Sequence, residues 1–523
     1  MVPVLAALAF AGEPASRVVW NAHGANVLGA PARDGSFLTC VDPASGDLAV
    51  FDVASGKLRR LTNKGGGAEK EFAYFSVPSR DGARVAVAWF NEAGFYDLRV
   101  VPVAGGKPRV LYRNEEAGFV QPTSWTPDGK QVLTLLFRKD NISQIALVDA
   151  ASGAVRVLRS LNWVYPKRME ISPDGRWIAY DSFAGDKPGP RDIYVLAMDG
   201  SSETKVVASE GEDLFPSWSP DGRELVFASD RSGTMDAWAV RVEEGKAAGE
   251  PRLLRRDMKQ FLPMGMTARG DLYYGLRTGA TEIALWQPGR TPEVVVTRTP
   301  GRNAAPAWSH DGKRLAYLSR RGAENFGVQA RLIVVREMES GAEKDVPAKL
   351  ATVASLRWSP DGEWLLASGS DGKGRSGLFR VRVRDGAVKT ETVSERADYA
   401  GVPGVWTNDG GIELGEDAVA IAVSPDGKRT ARAYANKVAA AGREWSVEGV
   451  TWLEWAGESL LAASGGKALL LSGEGVREMD WKGYDGGPFS VHPDGRSVAL
   501  SVGATRAEVW VMEHVFAAVD GRR

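Results

Sequence analysis

Acidic, amide and aromatic side chains recur in a few short segments of the N-terminal half, and these residues could contact a ligand. Aromatic groups beside carboxylates and amides suit recognition of a protein, peptide or glycan. The alternative is that the aromatic rings fold inward and only seal the fold. The candidates are Asn91, Glu92, Phe95, Asn114, Glu115, Glu116, Phe119, Trp163, Tyr165, Asp213, Phe215, Asp230 and Arg231.

The sequence contains few residues in patterns that could catalyse a covalent reaction. Glu92, Glu115 and Glu116 could serve a hydrolase or lyase, but nothing pairs them with a base or a metal at a recognisable spacing. The chain has no G-x-S-x-G nucleophile elbow and no kinase H-R-D or D-F-G motif. One cysteine, Cys40, and four scattered histidines argue against a metal site. The sequence therefore predicts no catalytic residue, no metal and no cofactor.

A G-x-G-x-x-G match at 372–377 is the one phosphate-binding pattern. A dinucleotide site needs a helix directly after these glycines. The following residues, 378–383, read Leu-Phe-Arg-Val-Arg-Val and predict a strand. We therefore interpret the glycines as a loop between strands.

Charge and hydropathy limit the partners and the location. Lys and Arg total 65 against 66 Asp and Glu, so no cationic excess favours nucleic acid. Residues 1–11 are apolar and end in Ala-Phe-Ala, which resembles the end of a secretory signal. This predicts a periplasmic or secreted protein; an ordinary apolar terminus of a cytoplasmic protein is the alternative. No later segment is long and apolar enough to predict a transmembrane span.

A recurring turn organises the chain that must position these residues. Pro-Asp-Gly stands at 127–129, 173–175 and 220–222, and variants precede and follow it. From Asp34 to Asp221 successive aspartates are 47, 47, 46 and 47 residues apart. Pro presets φ, the Asp side chain accepts a backbone N–H two residues on, and Gly takes a positive φ. Each copy therefore predicts a turn between antiparallel strands.

Each repeat holds four short strand patterns, and the strand before the turn often ends in Trp. Four strands in about 47 residues is typical of one propeller blade. A tryptophan at a constant blade position predicts packing between neighbouring blades. The recurring tryptophans are Trp125, Trp218, Trp308, Trp358 and Trp406.

The W-S-P-D-G repeats resemble the PD40, or WD40-like, propellers of the TolB type, and in particular bacterial extracytoplasmic proteins with long PD40 arrays. The resemblance implies an all-β propeller and leaves function open. It favours a non-catalytic scaffold that binds a protein, peptide or glycan. A hydrolase or lyase with carboxylates in the funnel, and a regulatory propeller that gates a separate peptidase, are the alternatives.

Eleven or twelve repeats predict two six-bladed rings, with one large ring as the alternative. We expect residues 12–300 to form an N-terminal propeller and 301–523 a C-terminal one with shortened blades, after a possible signal remnant at 1–11. Residues 17–20 could supply the outer strand beside 509–512. Two rings would then require the chain to cross between them.

Overall fold

The structure is a computed structural model. It describes residues 14–21, 29–42, 45–64, 71–140, 142–162, 164–183, 189–258, 261–278, 280–287, 290, 293–295, 302–320, 332–371, 375–394, 403–415, 417–503 and 506–516. Over these residues the secondary structure is all β. Within the same ranges no helix has the length and apolar character needed to cross a membrane. The signal-like residues 1–11 and the glycines at 372–374 lie outside the described residues.

The recurring turn has the predicted chemistry. In the copy at Asp174, one carboxylate oxygen accepts the backbone N–H of Arg176 at 3.1 Å and the hydroxyl of Ser172 at 2.5 Å. The Ser172 hydroxyl in turn accepts the backbone N–H of Trp177. Gly175 has a φ of 76°, where a Cβ is disfavoured. Ser, Asp and Gly therefore carry the turn, and the residue between Ser and Asp makes none of these bonds.

Six sheets, blades 1 to 6, surround one axis and form the first ring. Their strands, from the axis outward, are Phe37–Val41, Leu48–Asp52 and Lys57–Arg60 (blade 1); Phe72–Pro78, Arg84–Phe90, Tyr96–Pro102 and Arg109–Tyr112 (blade 2); Ala117–Trp125, Gln131–Arg138, Ser143–Asp149 and Val155–Leu161 (blade 3); Met169–Ile171, Trp177–Phe183, Arg191–Ala197 and Glu203–Val207 (blade 4); Asp213–Trp218, Glu224–Ser229, Asp236–Glu243 and Arg252–Arg255, with Lys246–Ala247 beside the third (blade 5); and Phe261–Met266, Leu272–Thr278, Arg506–Met512 and Ser16–Asn21 (blade 6).

Blades 7 to 12 surround a second axis and form the second ring, and blades 7 and 12 join into one eight-stranded sheet through a parallel bridge between Thr281 and Arg302. Their strands are Arg302–Trp308, Arg314–Arg320, Leu332–Glu337 and Glu343–Val346 (blade 7); Thr352–Trp358, Trp364–Ser370, Ser376–Arg382 and Val388–Ser394 (blade 8); Gly404–Trp406 and Ile412–Leu414 (blade 9); Ala420–Val423, Thr430–Ala433, Lys437–Ala440 and Arg443–Ser446 (blade 10); Val450–Ala456, Ser459–Ser464, Lys467–Ser472 and Gly475–Glu478 (blade 11); and Ser490–Val491, Val498–Gly503, Thr281–Trp286 and Glu293–Val294 (blade 12). Among the described residues blade 9 has two strands, in the region where the spacing of the turns shortens.

Apolar clusters between neighbouring blades close each ring. In the first ring, Met264 and Val509 of blade 6 pack against Leu38 of blade 1. In the second ring, Ile283 of blade 12 packs against Tyr317 of blade 7. The predicted tryptophan role is confirmed: the Trp125 indole N–H, for example, donates to the Val77 carbonyl of the preceding blade at 3.1 Å.

The two closing blades exchange strands. The middle strands of blade 6, Leu272–Thr278 and Arg506–Met512, form an antiparallel ladder. Each of these strands adjoins in sequence a middle strand of blade 12, and those two strands also pair with each other. The register is the same in both rings, because Thr278 faces Arg506 and Thr281 faces Gly503. One two-stranded ribbon therefore extends from the first ring into the second.

Thr278 thus pairs in the first ring and Thr281 in the second, and Gly503 pairs in the second and Arg506 in the first, so the chain passes between the rings twice. The predicted pairing of 17–20 with 509–512 is confirmed, with Arg17 opposite Val511. Strand Thr281–Trp286 lies before residue 300 yet pairs in the second ring, and Arg506–Met512 pairs in the first. We therefore propose that the two propeller domains divide along these pairings instead of at a single point near residue 300.

Candidate functional site

A buried carboxylate joins the two loops of blades 2 and 3 that carry most of the predicted site residues. Asp97 is fully buried and accepts two hydrogen bonds of 2.8 Å from Arg113. The side-chain amide of Asn91 donates to it at 3.1 Å. Burial alone would raise the pKa of Asp97, but the bonds from Arg113 and Arg99 hold it below its usual value. The ionised Asp97 thus fixes both loops relative to each other.

Six half-buried aromatic side chains lie above this clamp and contact one another; we call them the aromatic rim. Tyr96 of blade 2 meets Phe119 of blade 3 edge to face, with ring centroids 4.8 Å apart. Phe75 contacts Phe119 at 5.8 Å, and Phe72 stacks on Phe90 at 5.0 Å. The members are Phe72, Tyr74, Phe75, Phe90, Tyr96 and Phe119. Only Phe119 was among the predicted site residues; the alternation of aromatic residues along 72–75 was the available signal.

The predicted glutamates belong to the loops of the aromatic rim. Glu92, Glu115 and Glu116 are all exposed. The Asn114 side chain accepts the backbone N–H of Glu116 at 2.9 Å and so shapes the second loop. Phe95 is half-buried in the first loop, and its carbonyl accepts the Asn91 backbone N–H. The structure therefore places an apolar patch beside negative charge on one edge of the first ring.

Tyr165 lies in the next loop, after blade 3. Its ring is 6.0 Å from Phe137, and the Lys167 ammonium lies 4.4 Å from the ring centroid. The Lys167 ammonium also donates to the Tyr165 hydroxyl. Trp163 lies outside the described residues. Tyr165 thus faces a cation.

The predicted residues of blade 5 form internal contacts. Asp213 is fully buried and receives a 2.7 Å bond from Arg231, whose guanidinium also lies over Phe227. Asp230 accepts the backbone N–H of Glu212 at 2.7 Å. Burial raises the pKa of Glu212 to about 7. The first three contacts join the inner two strands of blade 5 at their loop end, and the Glu212 carboxylate accepts the backbone N–H of Arg191 in blade 4 at 3.2 Å.

Phe215 lines a small axial cavity of the first ring. It has a φ of 56°, uncommon for a residue with a Cβ, and its backbone N–H donates to Asp181 at 3.0 Å. The cavity, about 60 Å³, is also lined by Phe75 of the aromatic rim and by Lys167. The rim is therefore continuous with the loop-side entrance of the channel.

In the described part of the chain, no three His, Cys, Asp or Glu side chains lie close enough together to bind a metal ion.

Sequence reasoning missed a cavity at the turn side of the second ring. It measures about 430 Å³ and is lined by His310, Asn408 and His492 of the recurring turns. Arg357 and Glu454 form an ion pair of 3.2 Å at its wall. His492 packs edge to face against Trp308, with centroids 4.7 Å apart. The turns looked purely structural because the residues that meet in this cavity come from separate blades.

Twelve blades, which strand pairing groups into eleven sheets, form two rings and define a β-propeller protein. Residues 83–254 match the family described as TolB beta propeller domain, PD40, and residues 347–375 match the WD domain, G-beta repeat. Residues 83–254 of this propeller are thus similar to PD40 repeats, and residues 347–375 are similar to a WD40 repeat.

Relatives match over parts of the chain. An uncharacterized protein of Agrobacterium fabrum is 32% identical over 29% of this chain and 49% of its own length. The Tol-Pal system protein TolB of Bordetella pertussis is 29% identical over 29% of this chain and 33% of its own length. A TolB candidate structure from Agrobacterium tumefaciens is similar with a TM-score of 0.38 and 25% identity, covering 46% of this chain and 83% of that one. The chain thus spans half or less of the length of these two curated relatives.

Proposed function

We propose that the protein is a non-catalytic scaffold that acts outside the cytoplasm and binds a protein partner through the aromatic rim. One observation carries the proposal: six half-buried aromatic side chains cluster on strands of blades 2 and 3, beside the loops that the buried Asp97 fixes in place. Aromatic residues dominate the energetics of protein interfaces because they bury a large area at a small entropic cost. Fixed loops reduce the ordering cost further.

The negative charge beside the aromatic rim indicates which kind of partner could bind there. The exposed carboxylates of Glu92, Glu115 and Glu116 border the rim, so a complementary segment would carry apolar side chains flanked by Lys or Arg. The similarity to a TolB of the Tol-Pal system supports a binding role without catalysis and a location outside the cytoplasm. Fractionation of cells that express the full chain tests the location; recovery with cytoplasmic markers would contradict it.

Selection of displayed random peptides on the purified chain tests the partner class. We expect enriched peptides to combine aromatic or aliphatic residues with Lys or Arg. Binding should weaken about tenfold or more in the variant Glu92→Lys/Glu115→Lys/Glu116→Lys, because each like charge at the rim opposes the peptide. Glu474→Lys, an exposed change in the second ring, is the matched control and should leave binding unchanged.

Phe119→Ser tests the aromatic contribution independently of charge. We expect it to weaken the selected peptides while the chain still unfolds cooperatively. Peptides that bind the wild type and the triple lysine variant equally would contradict the proposal. Binding of neutral glycans in place of peptides, lost in Phe119→Ser, would support the glycan alternative instead, since sugars also stack on aromatic faces.

A further inference from the structure

One residue of each recurring turn faces the axial channel of the first ring. It is the residue two positions before the turn Gly, where the repeat has Pro. All six copies line one cavity of about 140 Å³ at the turn side of the ring. They are Arg33, Arg80, Pro127, Pro173, Pro220 and Ala268. Two neighbouring blades thus replace proline with arginine at the channel mouth.

Neither arginine has a carboxylate partner among the described residues. The Arg80 guanidinium crosses the mouth and donates one bond of 2.9 Å to the Pro173 carbonyl, two blades away. Arg33 makes no side-chain hydrogen bond to the described part of the chain. Glu170 lines the same cavity, but its carboxylate already accepts bonds from Arg168 and Ser217.

The charged side chains that the structure describes along the channel are mostly cations, which agrees with the lack of a described carboxylate partner for the two arginines. Among the described residues, two axial cavities of the first ring are lined by the cations Arg33, Arg80, Lys167 and Arg168 and by the carboxylate of Glu170. Burial lowers the pKa of Arg33, and the nearby charge of Arg80 lowers it further. Partly buried charges of like sign are costly unless an opposite charge joins them.

We propose that the turn-side mouth of the first ring is an oxyanion-binding site, in which Arg33 and Arg80 together receive a carboxylate or a phosphate group. Guanidinium groups match both oxyanions through paired charge-assisted hydrogen bonds. A water molecule takes roughly 30 Å³, so a cavity of this size admits a single such group in place of a few waters. The rest of the ligand would lie outside the ring.

This site is separate from the aromatic rim. The strand Ala117–Trp125 carries Phe119 near its first residue and leads into the turn of Pro127 at its other end. The rim and the two arginines therefore lie at opposite ends of the inner strands, and the oxyanion site does not depend on the proposed protein partner.

Calorimetric titration of the full chain provides the test, with three probes: inorganic phosphate, a short peptide with a free C-terminal carboxylate, and the same peptide amidated. The variant Arg33→Pro/Arg80→Pro installs the residue that other blades use, so its fold should be retained. We expect phosphate or the free peptide to bind the wild type, and the double variant to lose about tenfold in affinity per arginine. Binding should also weaken as salt is raised.

Three further variants separate this site from its alternatives. Pro127→Arg should tighten binding, because it adds a third cation beside Arg80. His310→Pro, the equivalent change in the second ring, and Glu115→Lys/Glu116→Lys at the rim should leave it unchanged. Phosphate binding alone would identify a phosphate ligand, and binding of the free but not the amidated peptide a carboxylate. Equal affinity in the wild type and the double variant, or no binding of any probe by the folded wild type, would overturn the proposal.

Discussion

The two rings are built from the same turn, yet their channels differ in chemistry. The turn-side mouth of the first ring presents Arg33 and Arg80 in a cavity of about 140 Å³. The second ring presents His310 and Asn408 in a cavity of about 430 Å³. Both contain an arginine that spans the channel, but Arg357 of the second ring is paired with Glu454, whereas Arg80 has only a carbonyl partner among the described residues.

The difference shows that one repeat can form the same turn in every blade while the residue that faces the channel varies. Ser, Asp and Gly make the hydrogen bonds and take the positive φ that the turn requires. The position between Ser and Asp points toward the axis and makes none of these bonds, so Pro, Arg, His and Asn are all compatible with it. Four predictions test how far the rings are distinct.

The largest expected effect is the loss of stability when the strand Arg506–Met512 or the strand Thr281–Trp286 is weakened. Each strand should stabilise the ring in which it pairs. Met512 follows the whole second ring in sequence but is fully buried in the first, beside Leu272 and Tyr274. Ile283 precedes the second ring's first complete blade but is fully buried in the second ring. We expect Met512→Ala and Ile283→Ala each to lower the free energy of unfolding by about 3 to 4 kcal/mol.

Amide hydrogen exchange measured along the chain shows which of the two rings each variant destabilises. Met512→Ala should accelerate exchange in Phe37–Arg255, and Ile283→Ala should accelerate it in Arg302–Glu478. The opposite assignment, with Met512→Ala loosening the second ring, would contradict the strand exchange.

The second effect compares the channel-spanning arginines. Glu454→Ala leaves Arg357 in a partly buried wall without its 3.2 Å partner, and we expect a loss of about 3 kcal/mol in the free energy of unfolding. Arg80→Pro removes a cation that has no carboxylate partner, and we expect a change below about 0.5 kcal/mol. Denaturant titration measures both. Equal losses would mean that the two channels are energetically alike.

The third effect is a pH dependence that arises from Glu212 of the first ring. Burial raises the pKa of Glu212 from 4.5 to about 7, so between these values the folded chain keeps a proton that the unfolded chain releases. The stability contributed is present at low pH and is lost as pH rises through about 7. We expect Glu212→Gln to remove this decline, a gain of about 2 kcal/mol at the upper end. Thermal unfolding across this range is the measurement; parallel profiles would contradict the raised pKa.

The smallest effect compares two tryptophans of the second ring. The Trp358 indole N–H donates to the Ala307 carbonyl at 2.9 Å, whereas the buried Trp308 indole N–H has no hydrogen-bond partner among the described residues. Trp358→Phe should therefore destabilise the chain by about 1 kcal/mol more than Trp308→Phe, because only the first change leaves a buried carbonyl without its donor. Chemical denaturation measures the free energy of unfolding of both variants. A larger decrease for Trp308→Phe than for Trp358→Phe would contradict the prediction and indicate an additional contact of Trp308.

Local sequence alone was sufficient for the repeat, its turn chemistry and the packing position of tryptophans such as Trp125. Each depends on residues close together in the chain, whose φ preferences and hydrogen-bonding groups act over a few positions. The pairing of Arg17 with the strand of Val509 was also foreseeable, because an incomplete blade exposes an edge that another strand must cover.

Tertiary structure decided the rest. The ribbon through Thr278 and Thr281 joins strands more than two hundred residues apart, and a local pattern carries no information about such a partner. The aromatic rim and the pair formed by Arg33 and Arg80 likewise exist only because the rings bring separate blades to a common loop edge and a common axis. Repetition in the sequence specifies the blade, whereas closure of the ring determines which varied positions meet.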